Sequence, residues 1–174
     1  MKKNYKDYIK FQSQLDLPFL ETRHEDLGKI FKTLKTKFHL KRNSDQKLID
    51  LGSGNGSVIL FSALKYGIIS IGIEIDEQLI SEARERIKSL KNAKSIRKIK
   101  ILKEDFFSHS LYSYDFIYTY SLPSIHKFMK HLFKTAKEGA IIISYKYPII
   151  LENILKEVYT EEKNETKIYF YEKL

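Results

Sequence analysis

The sequence predicts an α/β protein: a doubly wound, mostly parallel, seven-stranded sheet that ends in a C-terminal antiparallel hairpin. Three observations predict it. From Gln46 onward, short β-branched runs alternate with amphipathic helical stretches, the mark of a parallel sheet covered on both faces. The first of these runs leads directly into Gly52-Ser53-Gly54-Asn55-Gly56 and then into a helix, a strand-to-helix turn rich in glycine. The last stretch reads as two strands joined by polar Lys163-Asn164-Glu165, a hairpin that an otherwise parallel sheet tolerates at its edge.

Taken in order, Met1–Leu15 is expected to form a short basic helix or ordered arm, stopped at Leu17-Pro18 because a residue before proline is pushed out of the α region. Glu25–Lys37 reads as a helix with Leu27, Ile30, Phe31 and Leu34 on one stripe. Residues 1–45 are thus an N-terminal helical segment lying over a sheet core of residues 46–174, all within one domain. Lys47–Leu51 is the first strand, and the helix after Gly56 runs through Val58, Leu60, Phe61 and Leu64. Ile68–Glu74 is almost continuously β-branched, as a strand buried on both faces should be. A helix follows at Glu77–Leu90, with Leu79, Ile80, Ala83, Ile87 and Leu90 facing inward. Lys98–Leu102 and Tyr114–Tyr118 are the next strands, and Ile125–Ala136 is the helix that returns to the strand Ala140–Tyr145, with Gly139 at the turn. Ile154–Thr160 and Thr166–Tyr171 form the hairpin.

A chain of 174 residues is long enough to bury a core and too short for two domains of ordinary size, so one site must serve cofactor and substrate together. The absence of Cys excludes disulfides, thiolate metal sites and a cysteine nucleophile. With no secretory signal evident, the expectation is a cytoplasmic protein. The longest apolar stretches, around Ile68–Ile75 and Ala140–Ile143, fall far short of the ~20 residues that span a bilayer, so no membrane partner is expected. Of the histidines only His126 and His131 are close, and not on one helical face, so no metal site is expected. The formal charge of +9 would attract polyanions or an acidic protein, although biased Lys and Ile usage produces the same excess.

The glycine turn places bare backbone where a flat or charged ligand can approach its amides, a use that competes with a purely structural tight turn. Gly52, Gly54 and Gly56 alternate as G-x-G-x-G, unlike the dinucleotide pattern G-x-G-x-x-G, because Ser57 stands at the third-glycine position. Glu74 closes the next strand about 20 residues beyond the loop, where an acid accepts from two ribose hydroxyls. Asp50 stands at the carboxyl end of the first strand, suited to orienting the loop or holding a cationic amine. Asp105 follows the third strand, suited to an adenine amino group, with Phe106 packing on the ring. Together these outline a nucleoside with an amino-acid tail.

Asp50-Leu51-Gly52-Ser53-Gly54-Asn55-Gly56, Gly72-Ile73-Glu74-Ile75-Asp76 and Glu104-Asp105-Phe106-Phe107 resemble the motifs of the class I S-adenosylmethionine (AdoMet) dependent methyltransferases, whose fold is Rossmann-like. Pro18-Phe19-Leu20-Glu21-Thr22 and Ser144-Tyr145-Lys146-Tyr147-Pro148 resemble segments of the small archaeal protein-lysine methyltransferases and their mitochondrial relatives, with Glu21 in place of the usual proline and no Trp after Tyr147. The resemblance implies AdoMet as cofactor, bound by Thr22, Asp50, Gly52, Ser53, Gly54, Gly56, Glu74, Ile75, Asp105 and Phe106, and a lysine side chain on a protein as acceptor. After the fourth strand, Tyr118-Thr119-Tyr120-Ser121-Leu122-Pro123 stands where such folds place the acceptor, making Tyr120 and Ser121 the first candidates for acceptor contacts and Tyr145 and Tyr147 the second. That segment lacks the Asn/Asp-Pro-Pro-aromatic pattern of enzymes that methylate exocyclic amines. RNA, suggested by the net charge, is the alternative acceptor, and a non-catalytic AdoMet-binding interaction module is the alternative class.

Overall fold

The computed structural model describes residues 20–91, 93–163 and 166–174. The expected arm Met1–Leu15 and the break at Leu17-Pro18 lie outside the described residues, as do Pro18, Phe19, Asn164 and Glu165.

The strands are β1 (Lys47–Leu51), β2 (Ile69–Glu74), β3 (Ile99–Lys103), β4 (Phe116–Thr119), β5 (Ile141–Tyr145), β6 (Leu155–Lys163) and β7 (Thr166–Lys173). The helices are α1 (His24–Lys37), α2 (Ser57–Tyr66), α3 (Glu77–Lys88), the single turn α4 (Ala93–Ile96) and α5 (Pro123–Phe133), with a 3-10 turn at Phe106–Ser108. Across the seven-stranded sheet the order is β3-β2-β1-β4-β5-β7-β6. β1 to β5 pair in parallel, and β7 joins β5 and β6 antiparallel, as expected of the hairpin. The chain builds outward from β1 to β3, then crosses to the other side of β1 to begin β4. Connections leave in opposite directions at β1 and β4, which opens a crevice beyond their carboxyl ends. Register places Asp50 there, between Gly72 of β2 and Tyr118 of β4.

Strand alternation sorts the side chains into two cores. Ile49, Leu51, Ile73, Ile117 and Ile142 face one side and pack with Met129, Leu132 and Phe133 of α5. Leu48, Phe116, Tyr118, Ile143 and Tyr145 face the other, under Leu27, Ile30, Phe31, Val58 and Ile59 of α1 and α2. Each such side chain contributes roughly 1.5–3 kcal/mol on burial, so a strand covered on both faces must be apolar at consecutive positions.

Several boundaries differ from the sequence reading. α5 begins at Pro123, two positions early, because the fixed φ of proline suits the first helical position. α3 begins after Asp76, whose carboxylate accepts from the Gln78 and Leu79 amides at 2.8 and 3.0 Å, and it ends at Lys88. Of its five expected inward residues only Ile80 and Ala83 are buried; Leu79, Ile87 and Leu90 are half-buried, because α3 covers the outlying β2–β3 side of the sheet. Leu64 of α2 is exposed. In α1 the buried face includes a charge, Asp26, 1% exposed. Its carboxylate accepts from Arg23 Nε (2.8 Å), Lys29 Nζ (2.6 Å) and the Tyr145 hydroxyl (2.6 Å), which together replace its lost hydration.

Candidate active site

The turn after β1 is docked on the end of β2 by the Gly52 and Ser53 amides, which donate to the Ile73 carbonyl at 3.0 and 2.9 Å. Gly52 has φ +81°, a left-handed conformation that disfavours any Cβ, and the space where a Cβ would stand is open. Bare backbone therefore faces the crevice at Gly52. Gly56 serves packing instead: its Cβ would stand 3.3 Å from Ala83 of α3. Gly72 lets Ser53 tuck against β2, since a Cβ there would lie 2.5 Å from Ser53 Oγ.

A cavity of about 610 Å³ occupies the crevice. Asp50, Leu51, Gly52 and Ser53 line its base, Glu74, Ile75, Leu79, Asp105 and Phe106 the β2–β3 side, and Thr22, Tyr118, Tyr120, Ser121 and Ile125 the β4 side. Asp50 is 2% exposed and, among the described residues, has no hydrogen-bond or ion-pair partner. Burial, and secondarily the charge of Glu74, pushes its carboxyl well above the usual carboxylate range. Glu74 accepts from the Gly54 amide through Oε2 (2.8 Å) and from the Ile75 and Asp76 amides through Oε1 (2.7 and 3.0 Å). A carboxylate offers about four lone-pair sites, so bracing the glycine turn leaves it capacity toward the cavity. Asp105 accepts from the Phe107 amide at 3.0 Å, which caps the 3-10 turn and sets half-buried Phe106 in the wall, while Ile75 is exposed.

On the β4 side, the Tyr118 hydroxyl and Thr22 Oγ1 share a buried hydrogen bond of 2.6 Å. Burial holds the Tyr118 phenol well above its ordinary pKa, so it stays neutral. Tyr120 and Ser121 line the cavity. Tyr145 and Tyr147 do not. Tyr145 is fully buried, because alternation along β5 turns it toward α1, where its hydroxyl binds Asp26. Tyr147 is half-buried and lies behind Tyr120, ring centroids 6.3 Å apart, while Tyr145 meets Tyr120 edge-on at 4.8 Å. Both back the cavity wall rather than form it. Gly54 and Gly56 likewise build the turn without lining the cavity.

Sequence reading missed three features. Tyr118 shares the face of Asp50, which follows from the pairing of β1 with β4. Glu21 accepts from Ser57 Oγ and from Asn55 Nδ2 (3.2 Å) and pairs with Arg86 (3.8 Å), tying the segment before α1 to the turn after Gly54. His126, weighed only as a metal ligand, is buried and bonded to Ser121. A second hollow of about 620 Å³ shares Glu21, Thr22 and Ser57 but contains neither Asp50 nor Gly52. Among the described residues no group of three or more His, Asp or Glu is placed to hold a metal ion, and no helix is long and apolar enough to cross a membrane.

An orphaned, buried carboxylate at Asp50, bare backbone at Gly52 and a far wall of Ile75, Phe106 and Asp105 suit a ligand with a cationic amine at one end and a purine nucleoside at the other. AdoMet has that form. The fold and site are those of a class I AdoMet-dependent methyltransferase. The family model described as the ANTKMT methyltransferase domain matches residues 50–152, more than half of the chain, and the chain belongs to that family. Among solved structures, it is similar to an RNA methyltransferase from Salinibacter ruber in complex with S-adenosyl-L-homocysteine, at 21% identity and TM-score 0.76 over 88% of this chain and 93% of that one. It is also similar to a mutant of MtNAS in complex with AdoMet, at 11% identity and TM-score 0.68 over 84% of this chain and 61% of that one. At such identities these structures bear on the fold alone. No curated protein matches the chain by sequence.

Proposed function

We propose that this methyltransferase transfers its methyl group to nitrogen and that the acceptor is a lysine side chain of a protein. The observation that supports this most directly is the β4 side of the cavity, where Tyr118, Tyr120 and Ser121 offer rings and hydroxyls but no carboxylate or cation. An ammonium has no lone pair, and a wall of this kind disfavours the charged form of an entering amine. AdoMet supplies the activated methyl group on its sulfonium, so the protein has to align donor and acceptor and exclude water. In this reading Asp50 accepts from the cofactor's amine, and Gly52 and Ser53 lie along its amino-acid portion. Glu74 uses its remaining capacity for ribose, Ile75 and Phe106 cover adenine, and Asp105 receives its amino group. Thr22 holds Tyr118 in place, Gly54 and Gly56 hold the turn, and Tyr120 and Ser121 meet the acceptor, with Tyr145 and Tyr147 behind them.

RNA is the second reading, favoured by the formal charge of +9 and by the fold shared with the Salinibacter ruber RNA methyltransferase. Incubation with methyl-labelled AdoMet and a cell lysate separates the two. Label in protein, recovered as methyl-lysine after hydrolysis, is expected; label in RNA alone would overturn the lysine reading, and RNA binding that weakens steeply with salt would accompany it. Methylation unchanged by Tyr120→Phe and by Tyr147→Ala would remove the tyrosines from the acceptor side.

A further inference from the structure

Ser121, at the turn from β4 into α5, is wired to a histidine that the roles above leave unused. His126 of α5 is 6% exposed. Its Nδ1 lies 3.2 Å from the Pro148 carbonyl, in the loop after β5, and its Nε2 lies 3.0 Å from the Ser121 carbonyl and 3.1 Å from Ser121 Oγ. Thr119 Oγ1 donates to Ser121 Oγ at 3.0 Å.

Donor counting leaves two neutral forms of the ring. Carbonyl oxygens only accept, so each ring nitrogen has an oxygen beside it that wants an N–H, while a neutral imidazole has only one N–H to give. One form donates Nε2–H to the Ser121 carbonyl; in the other, Nδ1–H donates to Pro148 O and Nε2 accepts the hydroxyl proton of Ser121, whose other neighbour, Met129 Sδ at 3.6 Å, is a weak acceptor. That leaves Ser121 Oγ, which lines the cavity, with a lone pair directed away from its own proton. When Nε2 gains a proton, it donates to the Ser121 carbonyl and both N–H groups are satisfied. In that second form the pair has room for one proton from the cavity side.

We propose that Ser121 and His126 take up the proton that an ammonium acceptor must lose before methylation. The ammonium N–H donates to Ser121 Oγ; as that proton transfers, the Ser121 hydroxyl proton passes to His126 Nε2. The amine keeps the electron pair of the broken N–H bond, and the imidazolium is held by the Ser121 and Pro148 carbonyls until it releases the proton to solvent. His126 acts through Ser121 and is a positioning residue. Burial holds its imidazole below the ordinary pKa against the pull of those two carbonyls, so the ring is neutral and ready to accept near neutral pH. The polar groups bonded to it are Ser121, just after β4, and Pro148, after β5; among the described residues no charged side chain is bonded to it.

The inference rests on the amine-acceptor reading, and two measurements keep the two apart. Nitrogen NMR of the imidazole rings, on the full chain saturated with S-adenosylhomocysteine, should find His126 neutral with its proton on Nδ1 and its Nε2 signal shifted by Ser121→Ala; a neutral ring carrying its proton on Nε2 would overturn the proposal. The rate of methylation of the protein acceptor identified by labelling should rise with pH through the His126 pKa that NMR reports and then level off. His126→Gln, which retains hydrogen-bonding capacity, should lower kcat roughly 100-fold near pH 7 with KM for AdoMet unchanged, and should replace the plateau by a continuous rise as free amine accumulates. A wild-type pH profile in His126→Gln refutes the proton role alone. Label confined to RNA removes the amine reading and this inference with it.

Discussion

Replacing Asp50 by Asn keeps the shape of the side chain and removes its charge, at a carboxylate that is 2% exposed and unpartnered among the described residues. A buried polar group without a partner costs about 1–3 kcal/mol and a charged one more, so the ligand-free variant should be the more stable by roughly 1–2 kcal/mol. In a chain of this size that raises the thermal midpoint by about 2–8 °C. Cofactor binding should respond in the opposite sense. A charge-assisted hydrogen bond contributes about 1.5–3 kcal/mol, so Kd for AdoMet should rise about 10- to 150-fold. At a cofactor concentration of about 100 times the wild-type Kd, ligand stabilisation falls from about 2.7 to about 1.4 kcal/mol or less. The pH dependence follows from the raised folded-state pKa of Asp50: its favourable contribution is complete below the unfolded carboxylate value and is lost as pH rises through the folded one. The advantage of the Asn variant should thus be absent in acid and grow toward neutrality. Thermal denaturation with and without AdoMet, repeated across pH, measures all of these. A lower ligand-free midpoint together with an undiminished ligand shift would refute both the orphaned charge and its role in binding.

Gly72→Ala should cost about 1–3 kcal/mol in denaturant unfolding, because the added Cβ would stand 2.5 Å from Ser53 Oγ and 2.7 Å from Ser53 Cβ; an unchanged midpoint would show that Ser53 moves aside freely. Tyr145→Phe removes a 2.6 Å donor from buried Asp26 and should cost about 1.5–3 kcal/mol while leaving the AdoMet-induced shift intact, whereas loss of that shift would return Tyr145 to the cavity. Burial pushes the Asp26 carboxyl up, but hydrogen bonds from Lys29, Tyr145 and Arg23 outweigh it and hold it below its ordinary value. Its stabilisation is therefore present above the unfolded carboxylate pKa and is lost as pH falls through the lowered one. Acid titration of wild type against Tyr145→Phe should show a shallower acid limb in the variant, and identical limbs would contradict the linkage.

The order of strands and helices was legible because each element carries its own periodicity, and the glycine turn, Glu74 and Asp105 were legible because strand ends and tight turns are set by neighbours in sequence. What failed was decided by distant residues. Asp26 reads as a surface charge until Tyr145, across 119 positions, supplies a buried donor. Tyr145 reads as an acceptor-side ring until the side of the sheet covered by α1 is known, where it is buried and its hydroxyl binds Asp26. His126 reads as an isolated helix residue until Pro148, 22 positions on, closes the second half of its hydrogen-bonding shell. By itself the sequence determined the layered α/β architecture, the glycine turn after β1 and the acids at the ends of β2 and β3, since these follow from spacing along a strand, a turn or a helix face. Only the tertiary structure decided which polar side chains face the cavity and which are spent inside the protein, because a buried hydroxyl, carboxylate or imidazole is oriented by the partners that replace its water, and those partners come from elsewhere in the chain.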